Sequence, residues 1–393
     1  MKWRELLVRW RTPLIWTISY GLAAVGLLWW RLGTRPNGAA PAELAACQQS
    51  DNWSSIFHHI SSAPYLILQN LLPGNCSPDH QFWLRLPATL IALVAGALFV
   101  IAVRRWFGRR AAWYGGILFI TSSWFLHSGR LSMASVSLLL VVPLLLVLYQ
   151  RGTSAPYSQL TGWYTIGAVS LLAYIPGGIW FIILAAAFSN KAIWRFIQHQ
   201  SRRDNLLFGS SLIILWLPLI WSLVTDHSQI AGWLGLPATW PVWKTLGNLL
   251  LVPVNLVVRG PGDPLFWLGH VPILDIFAAA MAVVGGVWLY RHSNRKRQWF
   301  FVGLAAVSWL LSGLRSSGIA SLSLIVPLAY FLSAAGIQAM LRRWFDVFPR
   351  NPFARWLAYS LLIIVVAGAV IYNLRAYYIA WPHARAVLEL FSL

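Results

Sequence analysis

Apolar runs of about 17 to 24 residues recur along the chain, separated by short polar or basic segments. Runs of this length can cross about 30 Å of hydrocarbon as helices. They are continuous and do not alternate apolar with polar positions, which argues against the strands of a membrane barrel. Because only helices or closed barrels satisfy the backbone inside lipid, the pattern predicts an all-α, polytopic helical membrane protein.

The hydrophobic pattern predicts about eleven membrane spans within a single membrane domain, residues 1–393. Three polar segments interrupt or follow the spans: a first outer loop at 31–85, a second at 225–270, and a short tail at 372–393. A break at Tyr174-Ile175-Pro176-Gly177-Gly178 separates the fifth span from the sixth. The predicted spans cover about 13–30, 86–103, 111–126, 131–150, 160–173, 178–188, 206–224, 271–290, 299–311, 318–340 and 356–371.

Charge fixes the predicted orientation. With the N-terminus inside, the cytoplasmic segments hold 21 of the 30 Lys and Arg residues and the outer segments hold nine. Positive residues are retained on the cytoplasmic side, so we expect the N-terminus in and the C-terminus out. The net charge of +20 thus reflects topology, and a nucleic-acid partner is not expected. Seven of the ten acidic residues then lie outside, which predicts chemistry on the extracytoplasmic face, with the plasma membrane as location.

The first outer loop supplies the candidate base. Glu43 lies in a short helix-forming stretch about a dozen residues after the first span, and Asp51 is a substitute candidate. A carboxylate held near the membrane plane can act as general base on a hydroxyl or amine, although a lone loop acid is more often simply solvated. Trp53 and Tyr65 are candidates for stacking on a sugar, and anchoring at the lipid interface is the alternative role.

Four arginines are candidate ligands for a phosphate. Arg85 and Arg130 fall at the outer ends of spans, and Arg259 and Arg315 are further outward-facing cations. A guanidinium can hold a phosphate through two parallel hydrogen bonds, while snorkelling to lipid headgroups is the alternative. Arg315 is the most suggestive, because the small residues around it leave room for a ligand.

Cys47 and Cys76 are the only cysteines, and because both lie in the first outer loop we expect them to form a disulfide. His58, His59 and His127 lack the spacing or companion carboxylates of a metal site. We therefore predict neither a metal nor another cofactor. No glycine-rich phosphate loop or soluble nucleotide-sugar domain occurs, so a sugar donor would have to be carried by a lipid.

Four short motifs follow one another between residues 83 and 176. The chain contains Trp83-Leu84-Arg85-Leu86-Pro87, then Trp106-Phe107-Gly108-Arg109-Arg110, then His127-Ser128-Gly129-Arg130, followed by the break at Tyr174-Ile175-Pro176. In this order and spacing the chain resembles the GT-C glycosyltransferases, specifically the protein O-mannosyltransferase and aminoarabinose-transferase-like group. The resemblance covers residues 1–190 well and the remainder only by hydropathy and number of spans.

The resemblance implies inverting transfer of a sugar from a polyprenyl-phosphate carrier to a protein, glycan or lipid acceptor on the outer face. Glu43 corresponds by position to the family's loop carboxylate, which is more usually the Asp of an Asp-Glu pair, whereas here Ala42 precedes Glu43 and no such pair exists. Arg130 matches the family's turn arginine. Sequence reasoning thus favours a membrane glycosyltransferase with Glu43 or Asp51 as base and with Arg85, Arg130 and Arg315 on the carrier phosphate.

Two other functions stay open at this stage. A transporter or flippase of a lipid-linked intermediate usually carries ionisable residues at mid-membrane depth or internal repeats, and neither pattern is evident here. A non-catalytic membrane subunit built on the same fold is compatible with the absence of an acid at Ala42.

Overall fold

The computed structural model describes residues 19–72, 76, 80–154, 158–237, 239 and 241–391. Within these residues every regular element is helical and none is a strand, as the sequence predicts. The basic leader, the beginning of the first predicted span and the outer-loop acid Asp79 lie outside the described residues. The α-helices are α1 (Ser19–Trp29), α2 (Pro41–Gln48), α3 (Trp53–His58), α4 (Ala63–Leu71), α5 (Gln81–Phe107), α6 (Arg109–Thr121), α7 (Ser123–Arg130), α8 (Leu138–Ser154), α9 (Gln159–Ala173), α10 (Gly178–His199), α11 (Arg202–Thr225), α12 (Gln229–Trp233), α13 (Val242–Val257), α14 (Ile276–His292), α15 (Arg295–Leu314), α16 (Val326–Val347), α17 (Pro352–Arg375) and α18 (Arg385–Leu390).

Six helical segments of the described chain are long and apolar enough to cross a membrane. Helices α1, α13 and α14 are apolar but shorter. Each predicted span overlaps a helix, while the number of eleven and the orientation of the termini stay predictions. The six segments are Gln81–Phe107, Ala134–Gly152, Gly178–His199, Arg202–Thr225, Gly318–Val347 and Pro352–His383.

The predicted break between the fifth and sixth spans is present. Helix α9 ends at Ala173 and α10 begins at Gly178. Between them Gly177 has φ 73°, in the left-handed region that glycine adopts without steric cost. Its N–H donates to the carbonyl of Trp233 at 2.8 Å, which ties the break to α12.

Helices α14 and α16 cross with their backbones in contact. A Cβ on Gly285 would lie 1.9 Å from the carbonyl oxygen of Leu332, and one on Gly336 would lie 2.0 Å from that of Met281. Any larger residue at either position would force the helices apart. Small residues at a helix crossing are typical of membrane bundles, in which close backbone approach supplies much of the packing energy.

Two segments are more ordered than the sequence indicates. The second predicted loop contains α13, an apolar helix that packs on α15, where the Trp309 indole donates to the carbonyl of Leu249 at 2.9 Å. Its sequence contains Lys244 near the start and Pro253 in the interior, so it does not stand out from the polar segment around it. The predicted tail folds back, burying Tyr377, Trp381 and Phe391. This C-terminal roof, residues 376–391, joins the hydrophobic core beside the first outer loop.

Candidate functional site

The centre of the site is a fully buried ion pair between Glu43 and Arg85. Glu43 lies in the first turn of α2, where its side chain reaches back to accept the N–H of Ala40 at 3.1 Å. Its two carboxylate oxygens accept Nε and Nη2 of Arg85, both at 3.0 Å. Neither side chain is exposed to solvent. The pair therefore joins the 31–85 segment to the N-terminal part of α5 in a bidentate arrangement.

The Glu43 carboxylate is surrounded by hydrogen-bond donors. Besides Arg85 and the N–H of Ala40, the N–H of Ser132 donates to Oε1 at 2.9 Å. Each carboxylate oxygen thus accepts two hydrogen bonds. In this conformation the oxygens of Glu43 are occupied, and the carboxylate has no exposed face toward an acceptor.

Arg85 has no donor left for a phosphate. A guanidinium offers five N–H donors, and the two that contact Glu43 leave three. These three donate to backbone carbonyls at 2.8 to 3.1 Å. The sequence predicts that Arg85 binds the carrier phosphate. In the structure Arg85 instead binds the beginning of the first outer loop and so attaches it to α5. The three carbonyls belong to Leu32, Pro36 and Gly38.

Tyr65 is also turned inward. Its side chain is fully buried, and its hydroxyl lies 2.9 Å from the Ser132 hydroxyl and donates to Gln69 at 3.2 Å. The ring therefore has no open face for the predicted stacking on a sugar, and it instead supports Ser132 under Glu43. Trp53 is 57% exposed, so its predicted role in binding a sugar stays open.

Arg130 lies beneath the C-terminal roof. Its guanidinium donates to the carbonyls of Leu27 and Trp30 at 3.3 and 2.9 Å, and it stacks on the rings of Tyr377 and Tyr378. Within the described part of the chain, its buried Nε has no hydrogen-bond partner. Unlike Arg85, Arg130 therefore keeps an unused donor, although only 2% of its surface is exposed.

His127 sits in an aromatic cage that sequence reasoning missed. The rings of Trp267, Tyr377 and Trp381 lie 5.3, 4.6 and 4.5 Å from the imidazole, measured between centroids. Its Nδ1 is buried without a partner. These aromatic residues come from the segment before α14 and from the C-terminal roof, so no local pattern in the sequence indicates the cage.

Arg259, Arg315, Asn255 and His270 form the basic cluster, in which Asn255 links the Arg315 side chain to the backbone of Arg259. With the Asn255 amide oriented to satisfy both neighbours, its oxygen accepts Nη2 of Arg315 at 3.2 Å and its nitrogen donates to the carbonyl of Arg259 at 3.1 Å. Arg259 Nε donates to His270 Nδ1 at 2.8 Å. Among the described residues no carboxylate pairs with either arginine. The cluster is an uncompensated positive site.

Arg315 is the member of this cluster best placed to hold an anion. It follows α15 in the left-handed conformation, with φ 53°, and is half-buried. Burial lowers the pKa of its guanidinium, and its Nε is buried with no hydrogen-bond partner among the described residues. A bound anion would offset the cost of burying this charge and would supply the missing acceptor.

The first loop is closed by the predicted disulfide. Cys47 and Cys76 are bonded, with Cα atoms 5.7 Å apart. Asp51 lies beside the bond, its Oδ1 3.2 Å from the Cys76 sulfur, and it is exposed. The three side chains are close enough to suggest a metal site, but sulfurs bonded to each other are not thiolate ligands. Asp51 pairs with no cation among the described residues.

Comparison with known proteins defines the fold. No family model matches the sequence, and no curated protein matches it. Two crystal structures of ArnT from Cupriavidus metallidurans are similar to the chain. The structure bound to undecaprenyl phosphate has TM-score 0.56 and 13% identity, covering 95% of this chain and 77% of that one. The apo structure has TM-score 0.57 and 13% identity, covering 97% and 78%.

At this low identity the likeness concerns the fold, and it confirms at that level the resemblance found in the sequence. It extends over nearly the whole chain, including the half that the sequence motifs did not cover. The chain therefore has an all-helical fold like that of ArnT, with helices long and apolar enough to span a membrane.

Proposed function

We propose that the chain is an integral membrane glycosyltransferase that moves a sugar from a polyprenyl-phosphate carrier to an acceptor on the extracytoplasmic face, with inversion. The observation that carries this proposal is the fold shared with ArnT over 95% of the chain, together with the undecaprenyl phosphate bound to that relative. The sugar, the acceptor and the inversion rest on the family resemblance.

The carrier phosphate is assigned to the basic cluster. Arg315 offers a half-buried guanidinium whose Nε has no acceptor among the described residues, and Arg259, linked to it through Asn255, adds a second positive charge. Arg130 supplies a second unused donor beneath the C-terminal roof. Arg85, whose five donors are occupied, is assigned a positioning role instead of the phosphate contact expected from the sequence.

The base is assigned to Asp51. A general base must accept a proton at an oxygen that the acceptor can reach, and the Glu43 oxygens already accept four hydrogen bonds. Asp51 is exposed in the same loop, and no cation pairs with it among the residues that the structure describes. In the proposed step its carboxylate takes the proton of the acceptor hydroxyl or amine. The acceptor atom then bonds to the anomeric carbon while the bond to the carrier phosphate breaks, and Arg315 stabilises the leaving phosphate.

One observation favours a second function. Glu43 is occupied, and Ala42 stands where the family places an acid, so the chain could bind the carrier as a non-catalytic subunit. A transferase and a non-catalytic subunit would both bind the lipid phosphate. Only the transferase would release free carrier phosphate when an acceptor is present.

The experiment compares sugar transfer and donor binding in membranes for the wild type and two variants. Asp51→Asn is expected to abolish transfer while donor binding is unchanged, because only a proton acceptor is lost. Glu389→Gln, which alters an exposed acid paired with Arg385, is the control and is expected to transfer normally. Transfer by Asp51→Asn at the wild-type rate would exclude Asp51 as the base. If neither the wild type nor either variant transfers sugar, although all three still bind the donor, the non-catalytic subunit is favoured.

A further inference from the structure

A lateral cavity of about 350 Å³ lies away from the site described above. It is bounded by α8, α9, α10 and α11. Its lining is apolar except for one guanidinium, the phenol of Tyr149 and three small hydroxyl side chains. One of those hydroxyls, that of Thr165, already donates to the carbonyl of Thr161 at 2.8 Å. A sugar or a peptide would find few partners in such a lining, whereas a hydrocarbon chain would find many.

Small residues on one face of α10 create this space. Ala185, Ser189 and Ala192 lie three or four residues apart, so they share one side of the helix, and all three line the cavity. On the facing helix Gly162 is pressed against aromatic rings, since a Cβ there would lie 2.6 Å from Phe208. The cavity is thus a gap formed by missing side-chain volume between closely approaching helices.

A cation lies at one end of the cavity. Arg151, near the C-terminus of α8, lines it and stacks on the ring of Tyr164, 4.6 Å from its centroid. Among the described residues no carboxylate pairs with Arg151. Asp204, the acid at the start of α11, instead accepts hydrogen bonds from the side chains of Ser201 and Gln159. The side-chain amide of Gln150, the residue before Arg151, donates to the carbonyl of Arg105 at 2.7 Å, which brings a second arginine close to this end of α8.

We propose that the cavity binds one acyl chain of an anionic phospholipid, with the phosphate of that lipid held by Arg151. The charge pattern of the sequence assigns this end of α8 to the cytoplasmic side, where the membrane leaflet is rich in anionic lipids. An anion there would compensate the positive charge at this end of α8. The site is separate from Arg315 and does not depend on whether the chain transfers a sugar.

The test measures binding of dioleoyl phosphatidylglycerol to the purified full-length protein in micelles, by native mass spectrometry and by the shift in unfolding temperature. We expect the wild type to bind it more tightly than dioleoyl phosphatidylcholine. Arg151→Gln is expected to weaken phosphatidylglycerol binding about tenfold or more, the effect of losing a charge-assisted hydrogen bond. Ala185→Leu is expected to weaken binding of that lipid by filling the cavity.

Matched controls keep the same chemistry outside the cavity. Ala187→Leu adds the same side-chain volume on another face of α10. Arg195→Gln removes a positive charge near the C-terminus of α10. Neither residue lines the cavity. Both variants are expected to bind phosphatidylglycerol like the wild type. Equal binding by Arg151→Gln and wild type, equal binding of the two phospholipids, or preferential binding of polyprenyl phosphate would each overturn the proposal. Because Arg151→Gln leaves the apolar lining intact, the proposal stays testable even if Ala185→Leu does not fold.

Discussion

Replacing Glu43 by Gln tests whether this residue is structural or catalytic. Gln keeps the size and shape of Glu but has one acceptor oxygen and one donor group. Four donors converge on the Glu43 carboxylate, two from Arg85 and two from the backbone. At least two donors therefore lose their acceptor, and the Arg85 charge is left in a site with no solvent exposure.

The expected loss of stability is large. A buried donor without a partner costs about 1–3 kcal/mol, and breaking a buried ion pair by removing one partner costs about 3–5 kcal/mol. Because the two figures describe overlapping contacts, we expect Glu43→Gln to reduce the free energy of unfolding by about 3–5 kcal/mol. The first loop and the N-terminal part of α5 should become accessible to proteases before the rest of the bundle.

The assay is unfolding of the purified protein in mixed micelles of increasing denaturing strength, followed by tryptophan fluorescence, together with limited proteolysis. Glu389→Gln is the control, because it makes the same change in an exposed pair that contributes little. The double variant Glu43→Gln, Arg85→Met removes the stranded charge and should regain part of the stability. If Glu43→Gln unfolds at the same midpoint as wild type, the structural role assigned to this pair is refuted.

Three further predictions concern the loop, the bundle and the phosphate site. Replacing Cys47 and Cys76 by Ser removes the bond that spans 29 residues, which should lower the free energy of unfolding by about 3 kcal/mol and speed proteolysis of the first outer loop. Gly336→Val should lower the unfolding midpoint because its Cβ meets a backbone carbonyl at 2.0 Å, whereas Gly368→Val, with nothing within 4 Å, should be tolerated. Arg315→Gln should weaken binding of polyprenyl phosphate about tenfold in a flotation assay, with no change in the unfolding midpoint; an unchanged affinity would remove Arg315 from the phosphate site.

The sequence predicts the architecture well because lipid imposes strong constraints on a chain. Long apolar runs must be helical, and the break at Tyr174–Gly178 requires a residue that accepts positive φ, which Gly177 supplies. The disulfide was predictable because two cysteines stand alone in one outer loop. These features depend on local composition, so they can be read from the chain without knowing how the helices pack.

The detailed site depends on contacts between distant parts of the chain. Arg85 looks like a phosphate ligand when read alone, but the structure surrounds it with Glu43 and with carbonyls from about 50 residues earlier. The aromatic cage of His127 forms only when the C-terminal roof folds back. Likewise, the partnership of Arg315 with Asn255 follows from α13 packing on α15. Periodicity and motif spacing carry no information about such pairings.

The proposed function makes this chain a sugar transferase that has Ala42 where the family it resembles places an acid. The most direct measurement is release of free carrier phosphate by the purified wild type and by Ala42→Asp, in proteoliposomes supplied with labelled polyprenyl-phosphate sugars and candidate acceptors. We predict acceptor-dependent release by the wild type, and no gain from Ala42→Asp. Release by Ala42→Asp alone would contradict this account and identify the natural chain as a carrier-binding protein that has lost its catalytic acid.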